Sequence, residues 1–239
     1  MNFQNTLAFA KELDSNDSLR SFREKFFIPQ HEGKDCVYFT GNSLGLQPKT
    51  TSQYVQQELD DWAKLGVEGH FQAKNPWMPY HEIFPKQLSK IVGCKENEVV
   101  VMNQLTVNLH LLMVSFYRPT KQRYKIICEA KAFPSDQYAF ETQAIYHGYK
   151  AADAVIEVAP REGEHTLRTE DILSVIKEHG DDVAVVLFGG VNYYTGHLFD
   201  LKMITEAAHS VGAYAGFDLA HAAGNVELHL HDWNVDFAC

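Results

Sequence analysis

The sequence predicts an α/β fold: a mostly parallel sheet with helices on both faces, preceded by a helical N-terminal arm. Three observations carry this. The runs Tyr124–Cys128, Val183–Phe188 and Ala213–Phe217 are apolar and lack polar alternation, as strands buried on both faces do. They alternate with segments of helical period, Ser135–His147, Thr169–Glu178 and Leu201–Val211, which suit crossovers between parallel strands. Finally, Ala213–Phe217 runs straight into Asp218. An open parallel sheet places charge in this way in the crevice at the carboxyl ends of its strands, where ligands bind.

In chain order, Phe3 to Phe27 holds Leu7, Phe9, Ala10 and Leu13, then Leu19, Phe22 and Phe26, at helical spacing around a polar turn at Asp14–Asp17. Val37–Phe39 reads as a short strand, Thr40–Gly45 as a Gly-rich turn, and Pro48 as the opening of a helix to about Leu65. Gly66–Pro79 mixes Gly, Pro and aromatic residues without a period and reads as a functional loop. The chain is therefore expected to divide into residues 1–79, an arm with a small-domain and substrate-loop segment, and residues 80–239, the sheet-bearing large domain. In the latter, Val99–Val101 reads as a strand, Thr106–Tyr117 as a helix and Ala154–Val158 as a strand, while Thr169 is expected to cap its helix. Val235–Cys239 reads as the start of another buried strand. Because native termini usually lie outside the core, the sequence is expected to be cut within its fold.

Composition narrows the function classes. With 31 Asp and Glu against 21 Lys and Arg, and no basic run, the chain has little to follow a nucleic-acid backbone. No basic region followed by an apolar run opens it, and no stretch is long enough to cross a bilayer, so no membrane association and a cytoplasmic location are expected. Cys36, Cys94, Cys128 and Cys239 are scattered, without a C-x-x-C pair, and imply neither a disulfide framework nor a zinc knuckle.

The candidate site residues cluster at element ends. Asp218 is followed by His221 and by small residues that let a ring approach the backbone, and an acid there would keep a pyridine-like nitrogen protonated. It would serve equally as a helix N-cap. Thr106, after Asn103-Gln104-Leu105, sits where a hydroxyl meets the free N–H groups of a helix start, either an anion site or an ordinary cap. Phe133-Pro134-Ser135-Asp136 follows the next strand. Phe133 could lie flat on a heteroaromatic ring with Ser135 and Asp136 bonding to it, or the four could simply open a helix with Phe133 as a staple. Three strand ends presenting such groups in succession favour a ligand.

Two competing motifs fail. Gly41-Asn42-Ser43-Leu44-Gly45 matches the G-x-S-x-G elbow, but the helix is delayed to Pro48, whereas an elbow needs it to begin at the nucleophile, and Asp218 and His221 are too close in sequence to complete a triad. His229-Leu230-His231 offers two imidazoles, but nothing completes a zinc set, so no metal is expected. A G-x-G-x-x-G dinucleotide fingerprint is missing.

The spacing D-x-x-H-x-x-G from Asp218 resembles the cofactor acid of pyridoxal phosphate (PLP) enzymes of the aspartate-aminotransferase fold. Together, YFTGNSLGLQP, GVEGHF, NQLTVNLH, AFPSDQYA, GVNYYTG and FDLAHAAGNVELHLHDWNVDFA resemble kynureninase. The resemblance implies a fold-type-I large domain and hydrolytic Cβ–Cγ cleavage of L-kynurenine or 3-hydroxy-L-kynurenine. It implies that Leu105 and Thr106 bind the PLP phosphate, that Phe133 stacks on the ring within a loop to Asp136, and that Asp218 pairs with the ring nitrogen beside His221. It also implies that Ser43 and His70 face the substrate and that the protein is a cytosolic homodimer. Gly189 departs from the cofactor-contacting Ser of many relatives. The Schiff-base lysine is implied to lie beyond Cys239, so that no catalytic residue of that kind falls within this chain.

Overall fold

The structure, a computed structural model, describes residues 2–239. The chain divides into two compact units, one ending at Tyr80 and one from His81 to Cys239.

The regular structure of the first unit is mostly helical, with one short hairpin. Helix α1 (Leu7–Asn16) is capped by Thr6, whose side chain accepts from Phe9 N, and Asp17 Oδ1 accepts from Leu19 N at 2.8 Å just past its end. A 3₁₀ turn (Arg20–Lys25) follows in place of a second α-helix. Strands β1 (Gln30–His31) and β2 (Lys34–Asp35) form a hairpin whose two turn residues, Glu32 (φ 50°) and Gly33 (φ 73°), take the left-handed conformation that matches strand twist. Val37–Phe39 is not a strand. It has no ladder partner among the described residues, and Val37 and Phe39 are 81% and 93% exposed. Helix α2 (Thr51–Leu65) begins three residues after Pro48. The expected loop from Gly66 contains a 3₁₀ turn and a short helix α3 (Gly69–Gln72), so it is less irregular than its composition suggests.

The second unit opens with α4 (Pro85–Val92), which has Pro85 at its first turn and Gly93 (φ 65°) beyond its end. Val99–Val101 is extended but unpaired, with Val100 and Val101 about half exposed, so it adds no strand to the sheet. Helix α5 (Leu105–Phe116) leads to β3 (Lys125–Glu129). Then come α6 (Pro134–Tyr146), a single-turn α7 (Ala151–Ala154), β4 (Val155–Val158), α8 (Thr169–Glu178), β5 (Val183–Gly189), α9 (Leu201–Ser210), β6 (Tyr214–Asp218) and β7 (Phe237–Ala238). Thr169 is the first helical residue of α8; the cap is Arg168. Asp200 does cap α9, its side chain accepting from Met203 N at 2.9 Å.

The sheet has the order β4-β3-β5-β6-β7, and every neighbouring pair is parallel. Each strand alternates between two cores. Ile127, Val186, Phe188, Ala215 and Phe217 pack on Ile172 and Ile176 of α8 and Leu201 and Ile204 of α9. Ile126, Cys128, Val185 and Leu187 pack on Leu109 and Met113 of α5 and Phe140 of α6. Both faces are covered, which explains why the strands read as unbroken apolar runs. Gly216 leaves room on the second face for the Phe237 ring, which stacks on Phe116 at 4.6 Å; a Cβ at 216 would meet that ring at 2.2 Å.

Candidate functional site

Three acids converge at the carboxyl edge of the sheet. Glu129 ends β3 and Asp218 ends β6, with β5 between them and Gly189 in register with Asp218. After Glu129 the chain reverses through Lys131, held at φ 59°, and enters α6 with Phe133 as the capping residue and Pro134 at the first position. Pro134 suits that position because its fixed φ is already helical and its missing N–H would have had no partner there. Asp136 is thereby placed one turn into α6, and its side chain hydrogen-bonds that of Asp218. Ser135 Oγ donates to Asp136 Oδ1 at 3.3 Å, and Asp218 Oδ1 accepts from Ala220 N at 2.7 Å. Glu129 accepts from Gly189 N at 3.2 Å and from Asn192 Nδ2 at 2.6 Å.

Glu129, Asp136 and Asp218 are all at most 8% exposed. Burial pushes the Asp136 carboxyl up, to about 8, and its hydrogen bond and charge contact with Asp218 push the same way. Burial also raises Glu129, against the lowering pull of Asn192 and Gly189 N. The nearby Cys239 thiol is pushed up to about 12 by burial and then by Asp218 and Asp136. The charges acting on Asp136 come from Asp218 and Glu129, both negative. A hydrogen bond between the two carboxyl groups requires a proton on one of them.

The remaining expected residues lie as follows. Leu105 and Thr106 are the first two residues of α5, so Thr106 is not its cap; Gln104 is, and makes no side-chain capping bond. Phe116, at the other end of α5, packs on Tyr214 at the start of β6, so the N-terminus of α5 lies toward the carboxyl edge of the sheet. That N-terminus follows the unpaired Val99–Val101 segment, so only two of the three anticipated strand ends are strand ends. Phe133 leaves its ring about half exposed, with Tyr193 edge-on at 5.2 Å. Asp218 caps no helix: residues 219–226 form successive turns, among which His221 is half-buried. In the first unit, Ser43 is exposed in a turn, its N–H donating to Thr40 O at 3.0 Å. With no strand before it and no helix until Thr51, it is not a nucleophile elbow. His70 lies in α3, Nδ1 at 2.8 Å from Val67 O and its ring edge-on to Trp77. His229 and His231 approach different carboxylates, Glu227 and Glu98.

Sequence reasoning missed Glu129, Asn192 and Tyr193. The signal for Glu129 was available: it is an acid ending a buried strand, the same pattern that marks Asp218. Gly189 now has a physical reason, since a Cβ there would stand 2.9 Å from Glu129 Oε1.

Residues 37–239 match the aminotransferase class-V family model. The chain belongs to the aminotransferase class-V family. Within it, the chain is 66% identical over 238 residues to a kynureninase of Flavobacterium psychrophilum and 61% identical to one of Flavobacterium johnsoniae, covering all of this chain and 56% of each relative. It is 52% identical to the kynureninase of Homo sapiens, over 96% of this chain and 52% of that protein. The chain thus spans about half the length of the curated relatives it matches. Among solved structures, a cysteine desulfurase from Thermococcus onnurineus superposes with a TM-score of 0.66 at 18% identity, over all of this chain and 53% of that one. A cysteine desulfurase from Escherichia coli gives 0.69 at 17%, over 91% and 52%. At those identities the likeness extends to the class-V fold alone. The residues at its carboxyl edge fit a cofactor with a protonatable ring nitrogen: a buried acid pair stands there to meet a ring N–H, and a half-exposed aromatic ring stands at the start of the same helix as Asp136.

Proposed function

We propose that this chain is the cofactor-cradling portion of a kynureninase, a PLP-dependent hydrolase that cleaves L-kynurenine or 3-hydroxy-L-kynurenine to anthranilate or 3-hydroxyanthranilate and L-alanine, a step of tryptophan catabolism and NAD biosynthesis. The observation that carries the reading is the buried Asp136–Asp218 pair at the carboxyl edge of the sheet, in a chain so close to kynureninases. When bound, PLP supplies an electron sink conjugated to the substrate's Cα.

The chain's own residues divide the work. Asp218, with Asp136, would hold the N–H of the pyridinium and favour its protonated form by charge. Phe133 would stack on the ring, and Pro134 and Ser135 would complete the binding loop to Asp136. The N–H groups at the start of α5, with the Thr106 hydroxyl beside Leu105, would hold the phosphate, where the helix dipole favours an anion. His221 would contact the cofactor from the turn after β6, and Ser43 and His70 would contact the kynurenine. No lysine of this chain is assigned a covalent role. The protein is read as a cytoplasmic homodimer; its four free thiols suit a reducing compartment, and no helix among the described residues is long and apolar enough to cross a membrane.

Titration of the 239-residue chain with PLP is expected to give one saturable site, and borohydride reduction is expected to leave no stoichiometric adduct. The complete gene product is expected to release anthranilate from L-kynurenine and no sulfide from L-cysteine. Sulfide release without kynurenine cleavage would replace this reading with a desulfurase.

A further inference from the structure

We propose that Glu129 is a positioning residue of the cofactor site, acting through Asn192 and the turn it organises to set the brace that Tyr193 places against Phe133. The inference rests on the PLP reading given above and assigns roles to residues outside the cradle described there.

The chain of contacts is continuous. Glu129 Oε2 accepts from Asn192 Nδ2 at 2.6 Å. Asn192 Oδ1 in turn accepts from Tyr194 N at 3.0 Å, from Thr195 N at 2.8 Å and from Thr195 Oγ1 at 3.0 Å. Its backbone closes the same turn, N donating to His197 O at 2.8 Å and O accepting from Gly196 N at 3.0 Å. Asn192 is therefore the hub of residues 192–197, and Glu129 fixes the hub to the sheet. The residue next to the hub, Tyr193, meets the Phe133 ring at 5.2 Å and 86°. Phe133 itself starts the helix carrying Asp136, so ring and acid share one rigid element.

The choice of a carboxylate follows from its neighbours. Both groups bonded to Glu129 are N–H donors, which an acceptor-only group satisfies together. An amide in its place would turn an NH₂ toward one of them. Gly189 belongs to the same device, because any side chain there would displace the Glu129 oxygen that its N–H now holds.

The test uses PLP added to the 239-residue protein and reads its dissociation constant and the circular dichroism induced in the cofactor's absorption band, which reports the asymmetry of the ring's surroundings. Glu129→Gln is expected to weaken binding about tenfold, in keeping with loss of a hydrogen bond to a charged group, and to reduce the induced signal. The double variant Glu129→Gln with Asn192→Asp reverses donor and acceptor while preserving every bond, since the new amide donates to the new carboxylate and still accepts from Gly189 N. It is expected to recover both readouts. Tyr193→Ala, which leaves Glu129 and its bonds in place, is expected to lose the induced signal as well and carries the test if the single Glu129 variant does not fold. A wild-type protein that takes up no PLP overturns the cofactor reading and this inference together. Wild-type binding with an unchanged signal in Glu129→Gln or in Tyr193→Ala overturns the inference alone. So does loss in Glu129→Gln without recovery in the double variant, because Glu129 would then act through its charge.

Discussion

The two edges of the sheet treat their charges in opposite ways. At the amino edge the partly buried charges meet opposite charges or backbone carbonyls of the same chain. Lys125 Nζ lies 2.7 Å from Asp182 Oδ2, Arg123 donates to Val183 O at 3.0 Å and Val211 O at 2.6 Å, and Asp236 Oδ2 accepts from Ala215 N at 2.7 Å with His209 Nε2 at 2.8 Å. At the carboxyl edge, Glu129, Asp136 and Asp218 come together, and the charges that act on Asp136 there are those of the other two acids. Paired buried charge is the ordinary requirement of folding. Buried neighbouring acids cost stability, and their retention at one edge alone marks that edge as the candidate site.

The comparison can be broken most directly at Asp218. Asp218→Ala is expected to weaken PLP binding by about 100-fold or more, as when a buried charge-assisted hydrogen bond is removed. Asp182→Ala at the other edge should leave PLP affinity within about twofold, since it touches no ligand-facing group. Spectroscopic titration of the two variants decides it; equal losses would end the distinction between the edges.

Next in size is the pH dependence of the ligand-free protein. Asp136 titrates near 8 when folded and near the ordinary carboxylate range when unfolded, so between those limits the folded chain binds the extra proton. Stability therefore falls as pH rises through that window, and the raised Glu129 adds to the same slope. Asp136→Asn is expected to flatten the slope and raise the melting temperature at pH 8 by several degrees, in keeping with a relief of roughly 1–3 kcal/mol. Thermal unfolding at pH 5 and pH 8 without PLP measures it, and a slope unchanged by the substitution would remove the acid pair as its source.

Smaller again is Lys125→Met, which removes the partly buried partner of Asp182. It is expected to cost about 1–2 kcal/mol, a few degrees in melting temperature, with PLP affinity intact. The least effect is assigned to Lys131→Gly. Lys131 holds a left-handed conformation at the carboxyl edge, and relief of that strain is worth at most about 1 kcal/mol, read as a one- or two-degree rise.

Much of this was legible in the chain. Apolar runs without alternation gave β3, β5 and β6, the helical period gave α6, α8 and α9, and Asp218 declared itself as the acid ending a buried strand. Val37–Phe39 and Val99–Val101 carry the same local signature, yet neither finds a partner among the described residues, and a strand exists only through its neighbour. Single-turn α7 and the small helices after Gly66 were too short for a period to register.

By itself the sequence determined the fold class, because side-chain periodicity is a local property, and it determined the family through motifs each confined to a few residues. Only the tertiary structure decided which acids meet. The strand order β4-β3-β5-β6-β7 puts Gly189 between Glu129 and Asp218 and brings α6 over the same edge, joining residues separated by up to 89 positions in the chain. Carboxyl groups so far apart act on one another only when a packed sheet removes the water between them, and no spacing along the chain records that.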